Sequence, residues 1–213
     1  MSNVRRRWPF RVAAVLVVAL ALTTALVAAW QFWGKGWQAE RRAGQDASAF
    51  VASCSLDPGF NGGPESAAAG VVIGTIELPG SDVAWPIRAG VDDASLDGGV
   101  GWYQQTVAPG QIGNMAVVGR RLASGGAFDD ILAWNAGDTI TVATCFGSYT
   151  YTIKVAPRDL TVQPSDSWVL GAVPGQPGAM PTTSWLTLIA NQDISPTTDR
   201  AVGFAELTAT TPK

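Results

Sequence analysis

Short apolar and β-branched runs recur along the C-terminal two thirds of the chain. "GVVIGTIELP" (70–79), "VAWPIR" (83–88), "GNMAVVGR" (113–120) and "DTITVAT" (138–144) come first, then "SYTYTIKVAP" (148–157), "WLTLIA" (185–190) and "AVGFAEL" (201–207). They are rich in Val, Ile, Thr and Tyr and are bounded by Gly, Pro or Asp, which is the signature of strands. "CFGSYTYTI" reads as the turn of a hairpin. "AFDDILAW" (127–134) predicts a helical turn closed by "NAGD", and the Pro/Gly/Ser-rich stretch 164–184 predicts loop. Seven or eight strands with one or two short helices make a mainly β domain, a closed barrel or a sandwich. No internal repeat is visible.

The N-terminus has a different texture. Arg5, Arg6, Arg7 and Arg11 precede an uncharged run of 22 residues, Val12 to Trp33. That length predicts a single transmembrane helix, and Trp30, Phe32, Trp33 and Trp37 suit its far interface. A cleaved signal peptide would have a shorter apolar region and a small-residue exit, so a retained anchor is the favoured reading. Four arginines before the span against Lys35, Arg41 and Arg42 after it orient the N-terminus inward. The expected organisation is a cytoplasmic 1–11, a transmembrane 12–33, a juxtamembrane linker 34–69 with room for a short helix over 36–50, and an extracytoplasmic β domain 70–213. The chain is then a single-pass protein of the cell membrane.

Charge adds one exclusion. Residues 43–213 carry seven basic and sixteen acidic side chains, a formal −9, which disfavours nucleic acid as a partner. The two cysteines, Cys54 and Cys145, can form a disulfide in an extracytoplasmic domain or stand as two separate thiols. "VASC" (51–54) also matches the pattern before a lipid-modified cysteine. About twenty residues, several of them charged, separate it from the apolar run and speak against lipidation.

The chain contains no histidine. That removes Ser–His and Cys–His couples and His-based metal sites. No glycine run has phosphate-loop spacing. The pairs Asp92–Asp93 and Asp129–Asp130 fit solvated loops or caps better than an acid/base couple. Neither a metal nor a cofactor is expected.

Taken in order, several segments resemble the sortase family, most closely the class E sortases of actinobacteria. "VVIGTIELPGSDVAWPIRAG" is similar to the family's opening strands. "GVGWYQQTVAPGQIGNMAVVGRR" resembles its segment ending in G-H-R. "GGAFDDILAWNAGDTITVAT", "YTYTIKVAPRDLTVQPSDSWVL" and "LTLIAN…DRAVGFAEL" follow in the family's order. The resemblance implies a sortase-like closed β-barrel and an enzyme that cuts a sorting signal after threonine and passes the acyl group to an amine. It implies three catalytic residues: a cysteine ending the T-L-x-T-C strand, a histidine in G-H-R and an arginine before the last strand. A thiolate attacks the carbonyl, the histidine protonates the departing amine, and the arginine donates hydrogen bonds to the oxyanion.

Carried over position by position, the arginine falls on Arg200, the histidine on Arg120 and the cysteine on Asn191. An amide is a negligible nucleophile, and a guanidinium exchanges no proton near neutral pH. Nothing in the sequence supplies a base for Ser195, Thr197 or Thr198. Arg120 and Asn191 are expected to bond each other or the neighbours of Arg200, Asp193 and Asp199, with a carboxylate separating the two arginines. The leading expectation is an inactive, membrane-anchored pseudo-sortase that holds a sorting-signal-like peptide, a partner sortase or a cell-wall component. The alternatives are a transpeptidase or hydrolase with rearranged chemistry, whose nucleophile the sequence does not identify and which labelling of Cys145 would favour, and a purely structural assembly protein. The oligomeric state is left open.

Overall fold

The computed structural model describes residues 8–29, 35–56, 67–121, 126–193 and 197–213. Ser195 and the expected interfacial residues Trp30, Phe32 and Trp33 lie outside them. The β elements are β1 (Val72–Glu77), β2 (Ala84–Ala89), β3 (Val100–Trp102), β4 (Gly113–Gly119), β5 (Thr139–Ala143), β6 (Gly147–Val155), β7 (Thr161–Val162), β8 (Ser184–Asn191) and β9 (Arg200–Pro212). Neighbouring strands run β6-β5-β1-β2-β3-β4-β8-β9, and β9 returns to β6. The result is a closed eight-stranded barrel, with two-residue β7 appended to β9.

Closure follows from one long antiparallel pairing, β6 along β9 from Gly147↔Pro212 to Val155↔Phe204. A closed sheet leaves no edge for aggregation along its paired length. Alternation then divides each strand. Ile76, Ile87, Trp102, Met115, Val117, Ile140, Leu186 and Leu188 are fully or almost fully buried in the barrel. Phe128 enters the same core from the segment after β4, where its ring meets Trp134 edge-on at 5.5 Å.

All seven expected strands are present. The two additions are β3 and β7. β3 is three residues long, and its central Gly101 lies against β2's continuation, where an added Cβ would stand 2.6 Å from the Gly90 carbonyl oxygen. Only glycine permits that approach, so the strand hides in a sequence that looks like a turn. The expected helical turn at 127–134 is a single 3-10 turn, Ile131–Ala133. Stretch 164–184 is loop apart from a 3-10 turn at Ser167–Leu170 and its last residue, Ser184, which opens β8.

Two helices precede the barrel: α1 (Trp8–Ala29) and α2 (Lys35–Leu56). Among the described residues, no helix is long and apolar enough to cross a membrane. In α1 the described side chains, residues 12–27, are exposed on every side, and the Thr23 and Thr24 hydroxyls donate back to the carbonyls of Leu20 and Ala21.

α2 occupies much of the segment expected as a linker, and runs beyond the 36–50 expected for a helix. Ala43, Ala47 and Phe50 are buried at helical spacing, and Cys54 continues the same stripe. The face docks on β1 and β2. Arg88 of β2 pairs with Asp46 at 2.5 Å, and Cys54 is disulfide-bonded to Cys145 with Cα atoms 5.1 Å apart. The bridge spans 91 positions, and cross-linking a loop of that order limits the unfolded chain strongly. We expect reduction of the full-length chain to cost about 2–5 kcal/mol of stability. The measurement is the shift of the denaturant midpoint with and without reductant. A Cys54→Ser variant should show the same lowered midpoint and no further response to reductant.

Candidate functional site

Three neighbouring strands bring the candidate residues to one end of the barrel. β4 and β8 are parallel, with Val118 opposite Ile189. Two residues further on stand Arg120, just past the end of β4, and Asn191, the last residue of β8. β8 and β9 are antiparallel, and Asn191 pairs with Arg200. Side chains two apart share a face, so Arg120, Asn191 and Arg200 form a row across the outer face. Arg120 and Arg200 are half-buried and Asn191 is exposed.

The same outer face is apolar below that row. Ile189, Val202 and Phe204 form a second cluster with Val162 and Val169, flanked by Tyr103, Val118 and Trp168. The 3-10 turn at Ser167–Leu170 lies over these strands and is fixed by two buried polar residues. Asn114 donates through Nδ2 to the Val169 and Gly171 carbonyls, both at 3.0 Å, and its Oδ1 accepts from the Thr187 hydroxyl at 2.7 Å. A polar residue in each of the apolar strands "GNMAVVG" and "WLTLIA" was the sequence signal for this clasp; in the sheet the two stand diagonally, Thr187 opposite Ala116 and Asn114 opposite Trp185.

The arginines are held separately. Arg120 donates through Nη2 to the Asp93 carboxylate at 2.9 Å and to the Asp93 carbonyl at 3.1 Å. The expected partners, Asp193 and Asp199, are engaged elsewhere. Asp193 accepts from the Thr197 hydroxyl, and Asp199 accepts from the Gln163 amide. Asp93 reaches Arg120 because Asp92 caps a tight turn. Its carboxylate accepts the Ser95 backbone N–H at 2.9 Å, which holds the Asp92 carboxyl below its ordinary value. Arg200 turns back on its own loop and donates to the Thr197 and Asp199 carbonyls at 3.2 and 3.1 Å. Tyr103, at the end of β3, lies within the field of Arg200. Burial pushes its phenol above the ordinary value and the guanidinium opposes that shift.

Arg121 has no role in the sequence reading, yet it crosses the site. Its Nη1 donates to the Gln192 carbonyl at 2.5 Å and lies 3.5 Å from the Asn191 carbonyl. The Nε of Arg121 and the Oε1 of Gln192 are buried without partners. Doubled arginines at the end of an apolar strand were the only hint. Chemically, the row offers hydrogen-bond donors and positive charge. Cys145, whose labelling would have favoured rearranged chemistry, lies at the β5–β6 turn in its disulfide with α2.

A family model for the sortase domain matches residues 76–208. The chain belongs to the sortase family. Among solved structures, sortase E of Streptomyces avermitilis is 28% identical, with a TM-score of 0.60 over 68% of this chain and 93% of that one. Sortase E1 of Streptomyces coelicolor, solved with a tripeptide in its active site, is also 28% identical, with a TM-score of 0.60 over 69% and 94%. The SrtA sortase of Actinomyces oris is 25% identical, with a TM-score of 0.62 over 69% and 85%. A comparison with curated proteins returns no match. The sortase domain therefore accounts for the barrel, while α1 and α2 both precede the matched residues.

Replacing Asn114 by alanine in this sortase barrel leaves the Val169 and Gly171 carbonyls without their donor and the Thr187 hydroxyl without its acceptor. Unsatisfied buried groups cost about 1–3 kcal/mol. We expect an Asn114→Ala variant to lose about that much stability in denaturant melts. Amide exchange should quicken in 163–184 before it quickens in β5 or β6.

Proposed function

We propose that this chain is a membrane-anchored sortase-family protein without acyl-transfer activity, which holds a sorting-signal-like peptide at the end of β8. The observation that carries the reading is the place of Asn191. It ends β8 directly across from Arg200, in the position the resemblance gives to the nucleophilic cysteine. Arg120, in the position of the family's histidine, is committed to Asp93 and has no proton to trade near neutral pH. The thiol of Cys145 is consumed in a disulfide, which counts against rearranged cysteine chemistry. Thr197 donates to Asp193 at 2.8 Å, but a carboxylate is far too weak a base to ionise an alcohol.

What remains is a docking place. An extended peptide crossing the strand ends would meet donors from Arg200 and the Asn191 amide beside the Tyr103 ring. The uncharged run Val12 to Trp33, of which α1 holds the first part, is its membrane anchor in this proposal, with the N-terminus inside and the barrel outside. Its apolar circumference and back-bonded threonines suit a solvent that offers no hydrogen bonds. A purely structural role has one observation in its favour: the segment around Val169 already covers the outer face below the row.

The test uses the full-length chain in detergent with threonine-containing sorting peptides and hydroxylamine as acceptor. We expect no hydroxamate above blank and saturable peptide binding by fluorescence anisotropy, weakened at least about tenfold by Arg200→Ala. Hydroxamate that disappears in an Asn191→Ala variant would sink the reading. Absence of any peptide binding would favour the structural role. Acquired hydroxamate formation by an Arg120→His, Asn191→Cys double variant would show that the site geometry still accepts substrate.

A further inference from the structure

Three arginines meet at the candidate site, Arg120 and Arg200 within the row and Arg121 across it, and their charges are not balanced pair by pair. Among the described residues Arg120 makes an ion pair, with Asp93, while Arg121 and Arg200 make none. Those two donate to backbone carbonyls instead. A carbonyl accepts a hydrogen bond but brings no net charge. Both guanidinium groups are fixed to the same rung of the β8–β9 connection. The Gln192 carbonyl takes Arg121, the Gln192 N–H goes to the Asp199 carbonyl at 3.0 Å, and that carbonyl also takes Arg200. Folding thus sets two like charges one residue pair apart. Their repulsion costs free energy that an anion beside them would relieve.

The carboxylates at hand do not serve as that anion. Asp193 accepts from the Thr197 hydroxyl at 2.8 Å, and Asp199 accepts from the Gln163 amide at 2.5 Å. Asp93 is taken by Arg120, with its side chain 99% exposed. These three acids surround the site and limit the charge it will accept. A phosphate monoester, at about −1.5 to −2, meets more repulsion from them than a carboxylate at −1. A carboxylate also matches the planar fork of a guanidinium. The face below the row adds the second half of the recognition, since Tyr103, Val118 and Trp168 are half-buried beside Ile189 and Phe204. That face suits the apolar residues of a peptide rather than a small acid alone. A peptide that runs through the site presents the arginines with a neutral carbonyl. A peptide that stops there presents its α-carboxylate, which is ionised at neutral pH because its pKa is about 3.5.

We propose that the site selects a peptide ending in a free carboxylate over one that continues. Arg121 and Arg200 take the carboxylate, and the apolar face takes the residues before it. This rests on the peptide-docking reading above and narrows it: the ligand is a cut peptide, not an intact one. Hydrolysis of a peptide bond, carried out elsewhere, must supply it.

The experiment is isothermal titration calorimetry of the full-length chain in uncharged maltoside micelles. The probes are Ac-Leu-Val-Ala-Thr with a free C-terminal carboxylate and the same peptide as its C-terminal amide. The acid should bind at least about tenfold more tightly than the amide. Raising NaCl from about 50 to about 500 mM should weaken the acid several-fold and shift the amide by less than about twofold. An Arg121→Gln variant should narrow the ratio between the two peptides at least about threefold, and Arg121→Lys, which keeps the charge, should narrow it less. Equal affinities, or a tighter amide, would overturn the proposal and leave the peptide-docking reading in place. Binding of neither peptide up to about 1 mM would overturn both. A preference for the acid that survives Arg121→Gln undiminished would overturn the proposal as well. Should that variant fail to fold, the comparison of the two peptides on the unaltered chain still decides.

Discussion

Both faces of β8 are committed, and the remainder of the structure is arranged around that fact. Leu186, Leu188 and Ala190 point into the barrel core while Thr187, Ile189 and Asn191 point out. Fully burying a leucine contributes about 1.5–3 kcal/mol, so the inner face fixes the register firmly. A slip of one residue would exchange the two faces. It would bury Asn191 and expose Leu188. The outer row is thus positioned by hydrophobic residues that have no part in its chemistry.

Strand pairing then carries that position sideways. Parallel pairing with β4 sets Arg120 level with Asn191, and antiparallel pairing with β9 sets Arg200 there too. Asn191 and Arg200 are joined by the local connection between β8 and β9, but Arg120 is far from both in sequence and only the β4–β8 pairing brings it there. The Asn114–Thr187 clasp adds the cover on the outer face. On the opposite side of the barrel, α2 is fixed by its buried stripe, the Arg88–Asp46 pair and the disulfide. Under the proposed anchoring, that attachment would hold the barrel to the segment emerging from the membrane.

The strands that carry the site were legible because their periodicity is strong and their ends are marked by Gly, Pro or charge. β3 was not, since Gly101 is required by close packing rather than by strand propensity. α2 was legible only in part. Ala43, Ala47, Phe50 and Cys54 form a helical stripe, but alanines give a weak hydrophobic signal among glycine, serine and charges. Positions 120, 191 and 200 could be placed from order and spacing. Their partners could not, because Asp93 meets Arg120 through loop geometry and Arg121 reaches Gln192 across a strand end.

Under the proposed reading, the location of the row explains how a sortase barrel can stand without the family's reactive groups. Asn191 is exposed and Arg120 is only half-buried, so neither contributes to the core that sets the register. The Arg120–Asp93 pair is open to solvent on its acidic side, and such pairs contribute little to stability. Substitutions at strand ends of this kind are tolerated because they create no cavity and leave no buried group unsatisfied. Losing Leu188 or Asn114 would do one or the other. The candidate site and the fold therefore rest on different residues in this chain. The fold can persist for binding alone, provided that the inner face of β8 and the clasp on its outer face are kept.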